Sequence, residues 1–450
     1  MSVELRLAWL LTKDSDRRER WRVLLTALGA GLATGFGLGA VAVAALRGHH
    51  NIALASGLLN DQGERSGIVF TLLLLLVPVL GFLGQCARVG AVHRDRRLAG
   101  LRLSGATPGQ VRRIAGLEAG LACLAGSMAA SVCFVPLLLH LWQAPPATVW
   151  VAGTLVVLAV PVLGTLVSLL ALRRVVAEPL GWVRRVRPRG KRGLGLLFPL
   201  VAPAGVLVVG MLVAPRSFGG FYTSPALVLA VVIVTGLSAV RLSGVTSRRI
   251  GRHLAERTGD PAVLIAAERL RDDPWAAART HAAVLLVTVV GTGFMGVRQV
   301  LLDTLRLRGP DTLAADISFY TTGIDLTGAA LLLALAITLF GLAVGTAESL
   351  ATRRRGLAAQ AAAGVPIAVL ARALLLETAL PLAPAVALAG LGGMGISTWY
   401  ALLADTEGTS VLPLVPLLVP VAVYAACILA AATSLPLLRR SVRPAELRYA

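Results

Sequence analysis

Two glutamates, Glu118 and Glu377, stand just inside long apolar runs, and each follows a group of arginines: Arg94, Arg96, Arg97, Arg102, Arg112 and Arg113 before the first, Arg353, Arg355 and Arg372 before the second. A lone charge at the centre of a membrane helix costs about 2.5–3.5 kcal/mol, and less near the helix ends. The expected chemistry is therefore ion pairing, of Glu118 with Arg113 or Arg88 and of Glu377 with Arg372, ahead of a role in transmitting movement and well ahead of proton relay. Other reactive residue types lack the company that chemistry needs. His49, His50 and Asn51 adjoin one another in one loop but bring too few ligands for a metal, and Cys86, Cys123, Cys133 and Cys427 lie inside apolar blocks without metal-ligand spacing, as packing residues do. No serine, cysteine or carboxylate constellation points to an enzyme, so no catalytic residue, metal or bound cofactor is expected. The phosphate-loop pattern G-x-x-x-x-G-K-[ST] does not occur, and Gly291, Gly293 and Gly296, though spaced G-x-G-x-x-G, sit within an apolar run with no preceding strand, which reads as helix packing.

The elements that must position these groups are apolar helices. Of 450 residues, 56% are hydrophobic and 15% charged, and the apolar ones gather in blocks long enough to cross a bilayer. Within lipid each block must satisfy its own backbone, and the absence of two-residue alternation selects helices over barrel strands. Ten spans are predicted, at 23 to 46, 67 to 90, 114 to 140, 148 to 172, 194 to 214, 224 to 243, 281 to 302, 326 to 349, 371 to 403 and 411 to 437. The net charge of +20 lies in the loops between them. Ten spans leave all but six of the 43 basic residues on one side, which identifies that side as cytoplasmic and places both termini there. The stacking aromatics and motifs of nucleic-acid binding are missing, so the charge reads as orientation signal rather than as a nucleic-acid surface. Arginine greatly outnumbers lysine, as in a GC-rich bacterial genome, and the expected location is the bacterial cell membrane.

The arginine-to-glutamate segment is written twice. Shifted by 259 residues, Arg94, Arg96, Leu98, Ala99, Gly105, Arg113, Leu117 and Glu118 fall on Arg353, Arg355, Leu357, Ala358, Gly364, Arg372, Leu376 and Glu377. Both copies follow the second helix of a four-helix set, and in both sets the fourth helix ends in Leu-Arg-Arg, at Leu172 and Leu438. This predicts a parallel duplication with an added pair, in the order four plus two plus four. The corresponding regions are an amphipathic leader over 1–21, a first module over 22–180, basic linkers with a central helix pair over 181–260, and a second module with a tail over 261–450. Each repeated segment reads as a short helix, a turn at Gly105 or Gly364, and a lead into the next span beginning near Pro108 or Pro366. A basic, protruding elbow of this kind suits contact with a soluble partner. Two further features concern packing: Gly31, Gly35 and Gly39 form a small-residue face in the first span, and Pro381, Pro384, Pro413, Pro416 and Pro420 are candidate kinks.

The elbow RRLAGLRLSGATPGQVRRIAGLEAG resembles the signature of FtsX-like permeases, the membrane subunits of MacB-like type VII ABC systems. Arg96, Leu98, Ala99, Leu101, Arg102, Gly105, Ala106 and Glu118 fit in the first copy, and Arg355, Leu357, Ala358, Gly364 and Glu377 in the second. The family's Glu after the first Arg is replaced by Arg97 and Gly356, and Ala361 replaces the second Arg. The resemblance implies an all-α permease of two FtsX-like modules, with a separate ABC ATPase docked on the elbows, two copies per chain, supplying ATP and Mg. It implies coupling through Arg96, Arg97, Arg102, Gly105, Arg113, Arg355, Gly364 and Arg372, with Glu118 and Glu377 passing movement outward. The substrate would be amphiphilic: a lipid, lipopeptide or antimicrobial peptide. The predicted outer loops, Arg47 to Ser66 and Asp303 to Asp325, are too short for the outer domain many relatives carry. Ligand would therefore meet helices, membrane lipid or another protein. A signalling scaffold acting on a cell-wall hydrolase or sensor kinase is the alternative, and an ion-coupled secondary transporter, which needs ionisable residues at mid-membrane, ranks last.

Overall fold

The structure is a computed structural model that describes residues 17–49, 54–86, 103–177, 223–307, 316–404 and 413–442, together with 100, 201 and 313. The predicted fifth span, 194 to 214, therefore lies outside the described residues but for Val201, and so do the leader up to residue 16 and the tail beyond 442. Among the described residues all regular structure is helical. The helices are α1 (Arg17–Ala45), α2 (Gln62–Leu74), α3 (Leu76–Cys86), α4 (Pro108–Leu141), α5 (Ala147–Ala177), α6 (Thr223–Arg257), α7 (Pro261–Asp272), α8 (Pro274–Leu307), α9 (Ile317–Thr352), α10 (Arg354–Ala362), α11 (Ile367–Ala404), α12 (Leu418–Ala432) and α13 (Leu435–Ser441).

Nine stretches among the described residues are long and apolar enough to cross a membrane. They are α1, α2 with α3, α4, α5, α6, α8, α9, α11, and α12 with α13, and each corresponds to a predicted span. Their apolar surface faces outward: in the most apolar window of α5 only 17% of residues are buried, and Val132, Leu155, Leu332, Leu391 and Leu429 are all well exposed. Helices apolar on the outside as well as the inside belong in lipid. The chain is a multi-pass membrane protein.

Two spans are interrupted where proline dictates. Proline lacks the N–H that would bond the carbonyl four residues earlier. Pro78 thus cannot bond Leu74, where α2 ends, and Pro436 cannot bond Ala432, where α12 ends. The prolines singled out from sequence behave differently. α11 runs unbroken past Pro381 and Pro384, and Pro416 lies in a 3-10 turn, Val415–Leu417, that leads into α12.

The chain forms two compact units, one of residues 1–187 with 336–348, the other of 188–335 with 349–450. In the first, α1 crosses α4 backbone to backbone: a Cβ at Gly126 would stand 1.9 Å from the Ala27 carbonyl oxygen. A hydroxyl pair, Thr34 Oγ1 and Ser127 Oγ at 2.8 Å, lies beside the crossing. Phe82, Leu83, Val79, Ala30, Ala33 and Cys123 fill the core around it. Of the expected glycine face, Gly31 meets the Gly126 carbonyl and Gly39 meets Leu72, but Gly35 touches nothing within 4 Å. The tight positions are Gly29, against Phe82 and Leu83, and Gly37, against Val156.

In the second unit α8 crosses α11 in the same close manner. A Cβ at Gly393 would lie 2.7 Å from the Val289 carbonyl oxygen, and Gly293 and Gly296 pack on Ile396 and Ser397. The G-x-G-x-x-G spacing is a helix-packing surface here. Ser397 Oγ sits at this crossing, 3.1 Å from its own helix's Gly393 carbonyl and 3.3 Å from the Thr292 carbonyl of α8.

Candidate functional site

The second elbow is described throughout. α9 ends at Thr352, α10 begins two residues later, and the chain reverses at Gly364, whose φ of +91° falls where a Cβ is penalised. The reversal is a Schellman arrangement: the Gly364 N–H donates to the Ala361 carbonyl at 3.0 Å and the Val365 N–H to the Gln360 carbonyl at 3.1 Å. One face of α10 is anchored by Leu357, buried among Leu350, Leu370, Leu374 and Leu438, with Val365 against the cluster. Arg355 and Gly356 are on the exposed side.

The first elbow also turns at a glycine of positive φ. Gly105 has φ +98°, and α4 then starts with a capping box: the Gln110 N–H donates to Thr107 Oγ1 at 3.3 Å, and the Thr107 N–H to Gln110 Oε1 at 2.8 Å. Arg113 is exposed on the first turns of α4. Arg96, Arg97 and Arg102 lie outside the described residues.

Both glutamates are ion-paired, and their partners include arginines that the sequence reading did not name; Arg88, expected to face Glu118, lies outside the described residues. Glu118, 2% exposed, accepts from Arg22 Nη2, itself buried in α1, so the pair ties α1 to α4. Glu377 is shared by two arginines: Arg269 of α7 donates to Oε1, and Arg353, at the junction of α9 and α10, donates to Oε2 at 3.0 Å. Arg353 also holds the last turn of α9 through Ser349. Arg372, expected to face Glu377, instead pairs with Asp260 at 2.8 Å. The physical reason is helical phase: five residues separate Arg372 from Glu377, which puts them on different faces of α11. Asp260 is the N-cap of α7, accepting from the Ala262 N–H at 2.8 Å. Two ion pairs therefore fasten α7 along α11.

The two copies thus solve one problem differently. Shifting by the repeat, Arg22 falls on His281 and Leu10 on Arg269. In the first segment a counter-ion comes from the neighbouring span, and in the second from α7 and the elbow itself. Arg22 was detectable as the last of a group of arginines, at the entry to an apolar run. Arg269 was not, because nothing in its local sequence says that α7 folds back along α11.

The described residues of the loop between α1 and α2 are bonded to one another. Buried Arg65 donates from Nη2 to the Gly48 and Asn60 carbonyls and from Nε to the Asp61 carbonyl, and His49 Nδ1 lies 2.9 Å from Asp61 Oδ1. A scan against protein-family models and a search of the curated proteins return no match for this chain.

Proposed function

We propose that the chain is the membrane permease subunit of an ATP-driven, ABC-type complex, built on two FtsX-like modules in a four-plus-two-plus-four order. In this reading both elbows and both termini face the cytoplasm of a bacterial cell, and a separate ATPase docks on the exposed side of each elbow. The observation that carries the reading is the three-way junction at Glu377. A carboxylate well inside α11 is bonded to the residue that opens the elbow, so displacement of α10 is felt ten residues along the spanning helix. Coupling then means two states of this junction that the ATPase biases. ATP and Mg belong to the partner, since this chain has no phosphate loop. An amphiphilic substrate from the lipid, such as a lipid, lipopeptide or antimicrobial peptide, fits a protein whose sequence between α1 and α2 is too short for an outer domain.

The test is electrostatic. Arg355→Glu and Arg113→Glu, on exposed elbow positions, are expected to cut recovery of the ATPase with the tagged chain while membrane insertion and yield stay normal. Undiminished ATPase recovery with both variants combined would remove the elbows from the docking surface.

A further inference from the structure

The C-terminal half of α6 carries five exposed arginines, Arg241, Arg248, Arg249, Arg252 and Arg257, against one acid, Glu256. Orientation of the chain by its basic loops accounts for the last four, which follow the apolar run predicted over 224 to 243. It does not account for Arg241, which stands inside that run. An arginine so placed ordinarily faces the protein interior, yet Arg241 is exposed. The helix dipole does not explain it either, because its pull is confined to the last turn and α6 continues to Arg257.

Spacings of seven, four, seven and four residues put Ala230, Leu237, Arg241, Arg248 and Arg252 on one face of α6. All five are exposed, Leu237 at 61% with Ile233 at 46% beside it, while Thr235, Ala239 and Leu242 on the other side of the helix are buried. One outward face therefore changes from apolar to basic at Arg241. Trp275, in the first turn of α8 and 40% exposed, lays its ring on Gly244, where a Cβ would stand 2.5 Å from it. Gly244 is three residues after Arg241 and four before Arg248, a neighbour of both on the helix surface. A partly exposed tryptophan settles where hydrocarbon meets headgroups, so Trp275 marks the depth at which the two arginines stand.

We infer that this face of α6 binds an anionic phospholipid. The phosphate lies between the guanidinium groups of Arg241 and Arg248, which match it in shape as well as charge. The acyl chains run along Leu237 and Ile233, and Arg252 adds attraction from the water side. Arg241 and Arg248 are about 10 Å apart along the axis, a gap that two long side chains can close on one headgroup as their stems lie against apolar surface. The apolar and basic halves form a single face, and a ligand apolar at one end and anionic at the other covers all of it, as an acidic protein or a free phosphate would not. The site is independent of the ATPase-coupling reading and rests on the chain's lying in a membrane.

Native mass spectrometry of the full chain, released from nanodiscs holding equal amounts of phosphatidylglycerol and phosphatidylcholine, tests this. The wild-type chain is expected to retain phosphatidylglycerol several-fold over phosphatidylcholine. Arg241→Gln/Arg248→Gln is expected to cut that preference at least about fivefold. Arg249→Gln/Arg257→Gln makes the same charge change at the same end of α6 but on other faces, and is expected to keep it. A wild-type chain without preference overturns the proposal. Equal loss in the two double variants also overturns it, since a diffuse positive field would then suffice. A photo-crosslinker in place of Leu237, used in native membranes, reads the occupant with every arginine intact: attachment to an anionic phospholipid supports the site, and attachment to a polypeptide in its place overturns it.

Discussion

At the residue scale, the burial of each counter-ion sets what its loss should cost. Removing one member of a buried pair leaves an uncompensated charge, a loss of about 3–5 kcal/mol. Arg22 is almost wholly buried, so Glu118→Gln should destabilise the chain by an amount in that range, and adding Arg22→Leu should recover much of it. A thermal-unfolding double-mutant cycle in nanodiscs measures this, and an unchanged midpoint in Glu118→Gln would mean that the pair contributes nothing. Glu377→Gln should cost less, because the side chains of Arg269 and Arg353 are 22% and 36% exposed and can turn toward water. Both glutamates were legible as ion-pairing residues from charge in an apolar run. Arg22, Arg269 and Arg353 as partners were not, because pairing depends on which helices meet, and for Glu377 sequence proximity pointed to Arg372, which pairs with Asp260 instead.

At the scale of elements, the elbows and the crossings carry separate expectations. Gly364→Ala places a Cβ at φ +91°, a penalty of about 1–2 kcal/mol, and should raise hydrogen exchange across 354–366 while α11 beyond Glu377 stays protected. Equal protection in both chains would show that the turn needs no glycine. Gly126→Ala and Gly393→Ala drive a methyl into facing backbone, with no flexible side chain to yield. Both should lower the yield of folded protein sharply, whereas Gly35→Ala, with open space before it, should behave as wild type in size-exclusion and thermal assays. Hydropathy located every span that the structure describes, since lipid demands a long apolar run whatever the packing. The apolar runs begin later than the helices, but the prolines located the starts: α4 begins at Pro108 and α11 at Ile367, next to Pro366. Hydropathy missed the breaks at Leu75 and Thr433, which follow from a proline three residues further on and not from any change in hydropathy. The capping box at Thr107 and Gln110 was readable as T-x-x-Q and was passed over in favour of the neighbouring proline.

At the scale of the whole molecule, the nine stretches among the described residues that are long and apolar enough to cross a membrane make a multi-pass membrane protein; among those residues buried Arg22 and Glu118 pair with each other, while buried Arg65 is held by backbone carbonyls. Such a chain holds its two carboxylates where helix movement would have to break or exchange an ion pair. Under the proposed function, that exchange is driven from outside the chain, by ATPase subunits on the two elbows. The copies differ in how their glutamates are held, through Arg22 of a neighbouring span in one and through the elbow's own Arg353 in the other. Both nevertheless keep a glycine reversal and a helix start at the proposed docking surface. The measurement that bears most directly on this account is gentle purification of the tagged chain from its native membrane, with the co-purifying proteins identified and counted by quantitative mass spectrometry. An ABC ATPase at two copies per chain is the expected result; its absence, from membranes shown to contain the ATPase, would contradict the permease reading.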